Sequence, residues 1–501
     1  MTGQCLRGDV RLPAIFGDHM VLQRDMSVPV WGTADPGEKV TVQIGDHTAT
    51  TTTDAKGQWM VKLNALGVGP EPCEMTVTGK NQRIFRDVLV GDVWLCSGQS
   101  NMGYALGISK RGKEAIREAN LPKIRFFVLD RKVAFAPERE CTGKWVVCRP
   151  DAKELQSFSS VAFFFAEEVH RRLDVPLGLI GSYCGGSPAQ SWVSREALES
   201  EPALKYYAEK FELARDTMSE ANARYTSEVL PTWKAKVAEL KAQGISRGMP
   251  REPLPPGRDF RVPTVLFNGM IHPLIPFGIK GALWYQGEAN GGKGREYLLL
   301  FSTLIRDWRV RWGQGDFPFF FVQMPGYDAK NLEWVELRDS QRRTLSLPNT
   351  GMAVTIDIGD KTHVHPGNKW DVGLRLALVA LHGAYGQKII FSGPVFDSMR
   401  REEGNLILSF QHVGGGLKAG RESPACEKAG DPSLQAFEVA GADGKFVPAE
   451  ARIVANTVVV SALGVDNPEH VRYAWTPWPE PAANLYNKEG LPAVPFNSLE
   501  P

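Results

Sequence analysis

The chain has 501 residues, 43% hydrophobic, 10% aromatic and 23% charged, with a formal net charge of +1. That length exceeds what one hydrophobic core supports and predicts two or three domains of ordinary globular composition. Lysine and arginine are scattered and no apolar run is long enough to span a bilayer, so no nucleic-acid or membrane partner is expected.

Seven cysteines (5, 73, 96, 141, 148, 184 and 426) make an odd set without C-x-x-C spacing, which predicts neither a disulfide framework nor a zinc site. Cys141 and Cys148 flank T-G-K-W-V-V and are read as a pair for a small hairpin if the compartment is oxidising. Cys96 and Cys184 sit in apolar strand-end contexts and read as buried, inert thiols. The opening M-T-G-Q-C-L-R lacks the apolar core of a signal peptide, which leaves a cytoplasmic protein or one whose signal has been removed.

Residues 9–86 read as a β-sandwich module. Short alternating runs at 28–31, 39–44, 58–63 and 74–78 are separated by turn signals such as D-P-G and D-A-K-G. From 87 the pattern becomes alternating strands and helices. A β-branched and aromatic run (Val88, Val90, Val93, Trp94, Leu95) leads into C-S-G-Q-S-N, and 123–129 follows as a strand. A helix over 161–173, a strand over 177–181, a strand over 280–285 and a helix over 295–312 come next. Strands at 318–323 and 352–356 and a helix over 371–381 complete the unit. This predicts a three-layer α/β domain over 87–385 with a mostly parallel sheet and function at the carboxyl ends of its strands. A charged, alanine-rich helical arm and a proline-rich loop interrupt it at about 200–262. Residues 386–501 turn β-rich again and either form a second sandwich or complete the first.

Four strand ends carry chemistry: G-Q-S-N-M at 98–102, C-G-G-S at 184–187, Y-Q-G-E-A-N at 285–290 and D-I-G-D-K-T-H-V-H-P at 357–366. In a doubly wound sheet all four meet at one edge and supply a nucleophile, oxyanion donors, a base and an orienting acid, the inventory of acyl transfer. A serine hydroxyl needs a neutral imidazole beside it to take its proton. The candidate oxyanion donors are the N–H groups of Ser100 and of Gly185 or Gly186, and the Gln286 amide. Gln99, Asn101, Glu288 and Trp284 are the candidate substrate-binding side chains. Trp192, Trp284 and Trp334 read equally as sugar platforms or core residues. His363 and His365 form an H-x-H pair without a defined third ligand, so no metal or other cofactor is expected.

The combination of V-G-D-V-W-L-C-S-G-Q-S-N-M, L-F-N-G-M-I at 266–271, W-Y-Q-G-E-A-N at 284–290 and H-P-G-N-K at 365–369 resembles the sialate O-acetylesterase-type family of SGNH hydrolases. F-G-D-H-M-V-L-Q-R at 16–24 resembles that family's N-terminal module, and the similarity runs over most of 10–382. The resemblance implies a serine esterase acting on acetylated carbohydrate, with Ser100 as nucleophile and His365 as base. Ser100, Gly185 or Gly186, and Gln286 would line the oxyanion hole. An acid three residues before the histidine is missing, since that position is Thr362. The acid is then Asp360, with Asp357 as the next choice, or the site is a Ser–His dyad steadied by a backbone carbonyl. The competing reading is a non-catalytic carbohydrate-binding protein with a degenerate triad. An acetylated-glycan substrate, sialic acid or a plant polysaccharide such as xylan or xyloglucan, points to a secreted or periplasmic location.

Overall fold

The longest strand, Gln82–Gly98, runs through two parts of the molecule and fixes where the rest is placed. The structure is a computed structural model and describes residues 9–69, 71–330, 333–420 and 433–499; the opening heptapeptide with Cys5, and Cys426, lie outside them. The early part of Gln82–Gly98 pairs antiparallel with Cys73–Thr78, and its middle pairs parallel with Val21–Gln23. Its last third lies between Leu177–Tyr183 and Gly281–Tyr285, parallel to both. The boundary expected at 86 therefore falls inside a continuous strand. Asp87, at that boundary, has a φ of 55° and is held by His19 at 2.6 Å and Arg125 at 3.0 Å.

Across the central sheet the order is Thr350–Ala353, Phe319–Val322, Gly281–Tyr285, Gln82–Gly98, Leu177–Tyr183, Ile124–Leu129 and Gly143–Val147. All neighbours are parallel except the last pair. Both faces are buried, which is why these strands read as near-continuous apolar runs. Val93, Leu95, Ala282 and Trp284 join one core, with helix Gly294–Trp312. Trp94, Cys96, Leu283 and Tyr285 join the other, with helices Ser160–Leu173 and Trp370–Gly383. From Gln82–Gly98 the chain moves out to Ile124–Leu129, returns to Leu177–Tyr183, and then crosses to Gly281–Tyr285 on the other side. The strand order reverses at Gln82–Gly98, so a crevice is expected at its carboxyl end.

The N-terminal region contributes the sheets Val28–Thr33 with Gln58–Leu63, and Lys39–Ile44 with His47–Thr52 and Cys73–Thr78. His47–Thr52 carries no fully buried side chain, so it left no apolar signature in the sequence. The motif at 16–24 proves to be a docking element. Met20, Val21 and Leu22 are buried, Gln23 Oε1 accepts from Val93 N–H at 2.8 Å, and Arg24 grips buried Asp92 through two bonds of 2.9 Å.

The C-terminal strands pair only with one another among the described residues, in several antiparallel sheets. Among them, Glu450–Val454 and Thr457–Ser461 form a hairpin turning at Ala455 with a φ of 53°. Cys141 and Cys148 are free thiols, not a pair. They flank the extended strand Gly143–Val147, whose rise of roughly 3.3 Å per residue carries them beyond disulfide reach. Burial pushes the Cys96 thiol up, and the Cys141 and Cys148 thiols up to about 11 and about 12, which leaves all three as inert core groups.

The interruption is helical, with Arg195–Ser200, Lys205–Asp216, Met218–Arg224 and Leu230–Ala242. Tyr206 and Tyr207 donate to Glu296 at 2.7 and 2.6 Å and tie the arm to the α/β unit. Tyr225 and Trp233 donate to the carbonyls of Pro253 and Pro250, which fastens the proline-rich loop to the arm.

Candidate active site

Gly98, the last residue of the long strand, has a φ of 138°, and a Cβ there would lie 2.2 Å from the carbonyl oxygen of Tyr285. Only glycine permits that approach, and it turns the chain so that Ser100 leaves the sheet. Gln99 fixes the turn: its N–H donates to the Tyr285 carbonyl at 3.0 Å, and its Oε1 accepts from the Ala289 N–H at 3.1 Å. Ser100 Oγ then lies 2.7 Å from His365 Nε2. Partial burial and the neighbouring Lys369 hold the His365 imidazole below its usual value, so the neutral ring that accepts a proton predominates near neutral pH.

Gly185 stands over the serine, since a Cβ on it would lie 3.5 Å from the Ser100 Cβ. The N–H groups of Ser100, Gly185 and Gly186 donate no hydrogen bond among the described residues. Gly186 adopts a φ of 75°, and a Cβ on it would meet the Phe260 ring at 3.7 Å. The loop anchored to the helical arm therefore reaches the edge of the site.

Gln286 is placed differently from the expectation. Its amide nitrogen has only two hydrogens and already faces three acceptors: Asn290 Oδ1 at 2.8 Å, and Gln99 Oε1 and the Ser187 carbonyl at 3.2 Å. Its Oε1 accepts from the Tyr297 hydroxyl at 2.9 Å. Fully buried, it clamps the surrounding turns together and offers no free hydrogen to an oxyanion.

Neither expected acid reaches His365. Asp360 Oδ1 accepts from the N–H groups of Thr362 and His363 and lies 3.3 Å from His363 Nδ1. Partial burial opposes its charge, yet these donors hold its carboxyl below the usual range. Asp357 is buried against Arg375, with two contacts of 2.7 Å, and also receives the Tyr486 hydroxyl at 3.3 Å. It joins the α/β core to the C-terminal region. Among the described residues no carboxylate bonds to His365, and no three His, Cys, Asp or Glu side chains come together as a metal-ligand set.

The expected substrate contacts are largely interior. Trp284 and Trp192 are fully buried, and Trp334 nearly so, with its indole N–H on the Pro325 carbonyl at 3.0 Å. Aromatic spacing on a strand carries no sign of which face meets solvent, so the core reading holds for all three. Asn101 is buried beneath the serine, its amide donating to Glu288 Oε1 and to the Val364 carbonyl at 2.9 Å. Its Oδ1 accepts from Lys369 Nζ at 2.5 Å. Sequence reasoning missed Lys369 as a site residue. Its signal was its place four residues after His365, at the start of an apolar helix. It is fully buried between the Tyr104 and Tyr285 rings, and burial pulls its ammonium down to about 7.

Residues 267–382 match the family model described as a carbohydrate esterase, sialic acid-specific acetylesterase. The whole fold superimposes on a carbohydrate acetylesterase from Xanthomonas citri with a TM-score of 0.81, at 34% sequence identity over 98% of this chain and 99% of that one. The chain belongs to the sialate O-acetylesterase-type family of carbohydrate esterases. Sialate O-acetylesterases of Mus musculus and Homo sapiens are 28% and 27% identical over 97% of this chain, covering 94% and 92% of their own lengths. As a member of this family the chain is a carboxylic ester hydrolase. Among the described residues of the esterase, no helix is long and apolar enough to cross a membrane.

Proposed function

We propose that the esterase removes acetyl groups from sugar hydroxyls through an acetyl-serine intermediate, with Ser100 as nucleophile and His365 as its base. The observation that carries this reading is the 2.7 Å contact between Ser100 Oγ and His365 Nε2 at the switch point of the sheet. Ser100 Oγ attacks the acetyl carbonyl as Nε2 takes its proton. The oxyanion that develops is received by the unengaged N–H groups of Ser100 and Gly185, with Gly186 beside them. Collapse expels the sugar oxygen, protonated by the imidazolium. A water, deprotonated by the same ring, then releases acetate and restores the serine.

In this reading the imidazole works without a carboxylate partner, as a dyad. The substrate class is an O-acetylated glycan, a sialic acid or a plant polysaccharide such as xylan or xyloglucan, which is consistent with an extracytoplasmic location. The test is acetate release from 4-nitrophenyl acetate, acetylated xylan and an O-acetylated sialic acid, by wild type and by Ser100→Ala. Release by wild type and its loss in the variant support the reading, and the preferred substrate names the glycan. Undiminished release by Ser100→Ala removes the serine. No release by wild type from any of the three favours a carbohydrate-binding role.

A further inference from the structure

A buried ammonium and a buried carboxyl group lie directly beneath the Ser100–His365 contact without touching each other. Asn101 separates them: Lys369 Nζ donates to its Oδ1 at 2.5 Å, and its amide nitrogen donates to Glu288 Oε1. The second amide hydrogen goes to the Val364 carbonyl at 2.9 Å. All of Asn101's capacity but one lone pair is thereby used, and its orientation is fixed from three directions. Glu288 Oε2 is buried with no hydrogen-bond partner. Burial raises the Glu288 carboxyl and lowers the Lys369 ammonium, each stabilised by the other only at a distance. Burying two ionisable groups in this way costs stability unless they are held by hydrogen bonds, and the geometry shows what the arrangement achieves. Asn101 adjoins Ser100, Val364 adjoins His365, and the amide bonds one neighbour to the other.

We propose that Lys369, Asn101 and Glu288 form a positioning brace that holds His365 on Ser100 through the Val364 carbonyl, in the place of a triad carboxylate. The proposal rests on Ser100 and His365 being nucleophile and base. The brace also sets the charge around the base. His365 faces Ser100 and the Lys369 ammonium, and Lys369 in turn faces Glu288, Asn101 and the Tyr104 and Tyr285 rings. A cation at that place disfavours the imidazolium, so removing it raises the imidazole value.

The experiment compares full-length wild type with Asn101→Ala, Lys369→Met and Glu288→Gln. It measures kcat and KM on 4-nitrophenyl acetate, the pH profile of kcat/KM, thermal melting, and the His365 imidazole titration by NMR. Asn101→Ala is expected to lower kcat by about 10- to 100-fold, the cost of a reacting group misplaced by about 1 Å, with KM within about twofold. Lys369→Met is expected to lower kcat and to move both the imidazole titration and the acid limb to higher pH. Glu288→Gln keeps an acceptor for the Asn101 amide and is expected to retain most of kcat. A folded Asn101→Ala with wild-type kcat overturns the brace. So does a Lys369→Met variant whose imidazole titration stays where it was, since a merely structural lysine would not move it. Should Asn101→Ala fail to fold, the Lys369→Met titration decides alone. Full turnover by Ser100→Ala, run alongside, is the failure of the serine reading. Its loss, together with unaffected brace variants, is the failure of the brace only.

Discussion

Ser100 stands two residues beyond a strand that is buried on both faces and paired with parallel neighbours on both sides. His365 stands on a loop between Thr350–Ala353 and helix Trp370–Gly383, among exposed side chains. The proposed nucleophile is thus positioned by the backbone ladder of the sheet. The proposed base is positioned by a few long-range bonds: Asn101 to the Val364 carbonyl, the Lys110 N–H to the Gly367 carbonyl at 2.9 Å, and the Asp328 N–H to the Lys361 carbonyl at 3.1 Å. A change near Ser100 is therefore paid in chemistry or in the sheet itself, and a change near His365 in alignment. The difference explains why the half-buried serine is held by a rigid platform while the exposed histidine needs a buried brace below it.

The comparison breaks first at the serine. Ser100→Ala is expected to lower kcat/KM for acetate release by at least about 10³-fold with the melting temperature kept, because the hydroxyl serves chemistry and leaves the sheet intact. The next largest effect falls on stability. Asp357→Asn removes one partner of a buried ion pair, so denaturant unfolding is expected to show a loss of about 3–5 kcal/mol. The folded fraction should keep its turnover. A variant that unfolds no more easily yet loses turnover would return Asp357 to the site. A smaller effect sharpens the electrostatics of the loop. The His365 imidazole is held below its usual value of about 6.5, so its neutral form persists to lower pH. The acid limb of kcat/KM should then lie below pH 6.5, and a limb above it would show that a carboxylate outweighs burial and Lys369.

Much of the platform was legible in the sequence. Val88 to Leu95 read as a buried strand because β-branched and aromatic residues dominate it on both sides of Gly91 and Asp92, and the Gly98 turn followed from the small residues after it. The Gly185–Gly186 turn was legible for the same reason. The continuity of the strand through Arg86 and Asp87 was not, because Asp87 is satisfied by His19 and Arg125, and Arg86 by Asp18 and Glu74, from other parts of the chain. Gln286 and Trp284 were placed correctly on the strand end, but beyond the local Asn290 their partners Tyr297 and Gln99 come from two other segments. No local pattern records which way such side chains face. The aspartates show the same limit. D-I-G-D-K-T-H-V-H offers two carboxylates near a histidine, and only the fold reveals that Arg375 holds one and the Thr362–His363 backbone the other.

Asp360 gives the most direct test of the account's central claim, that the imidazole works without a carboxylate partner. The measurement is kcat/KM of Asp360→Asn against wild type across pH 5–9, on 4-nitrophenyl acetate. With Asp360 bound to its own loop and not to His365, the two profiles are expected to agree within about twofold, the small change that a surface substitution produces. A loss of a hundredfold or more at every pH, with the protein still folded, would make Asp360 the acid of a triad and contradict the dyad.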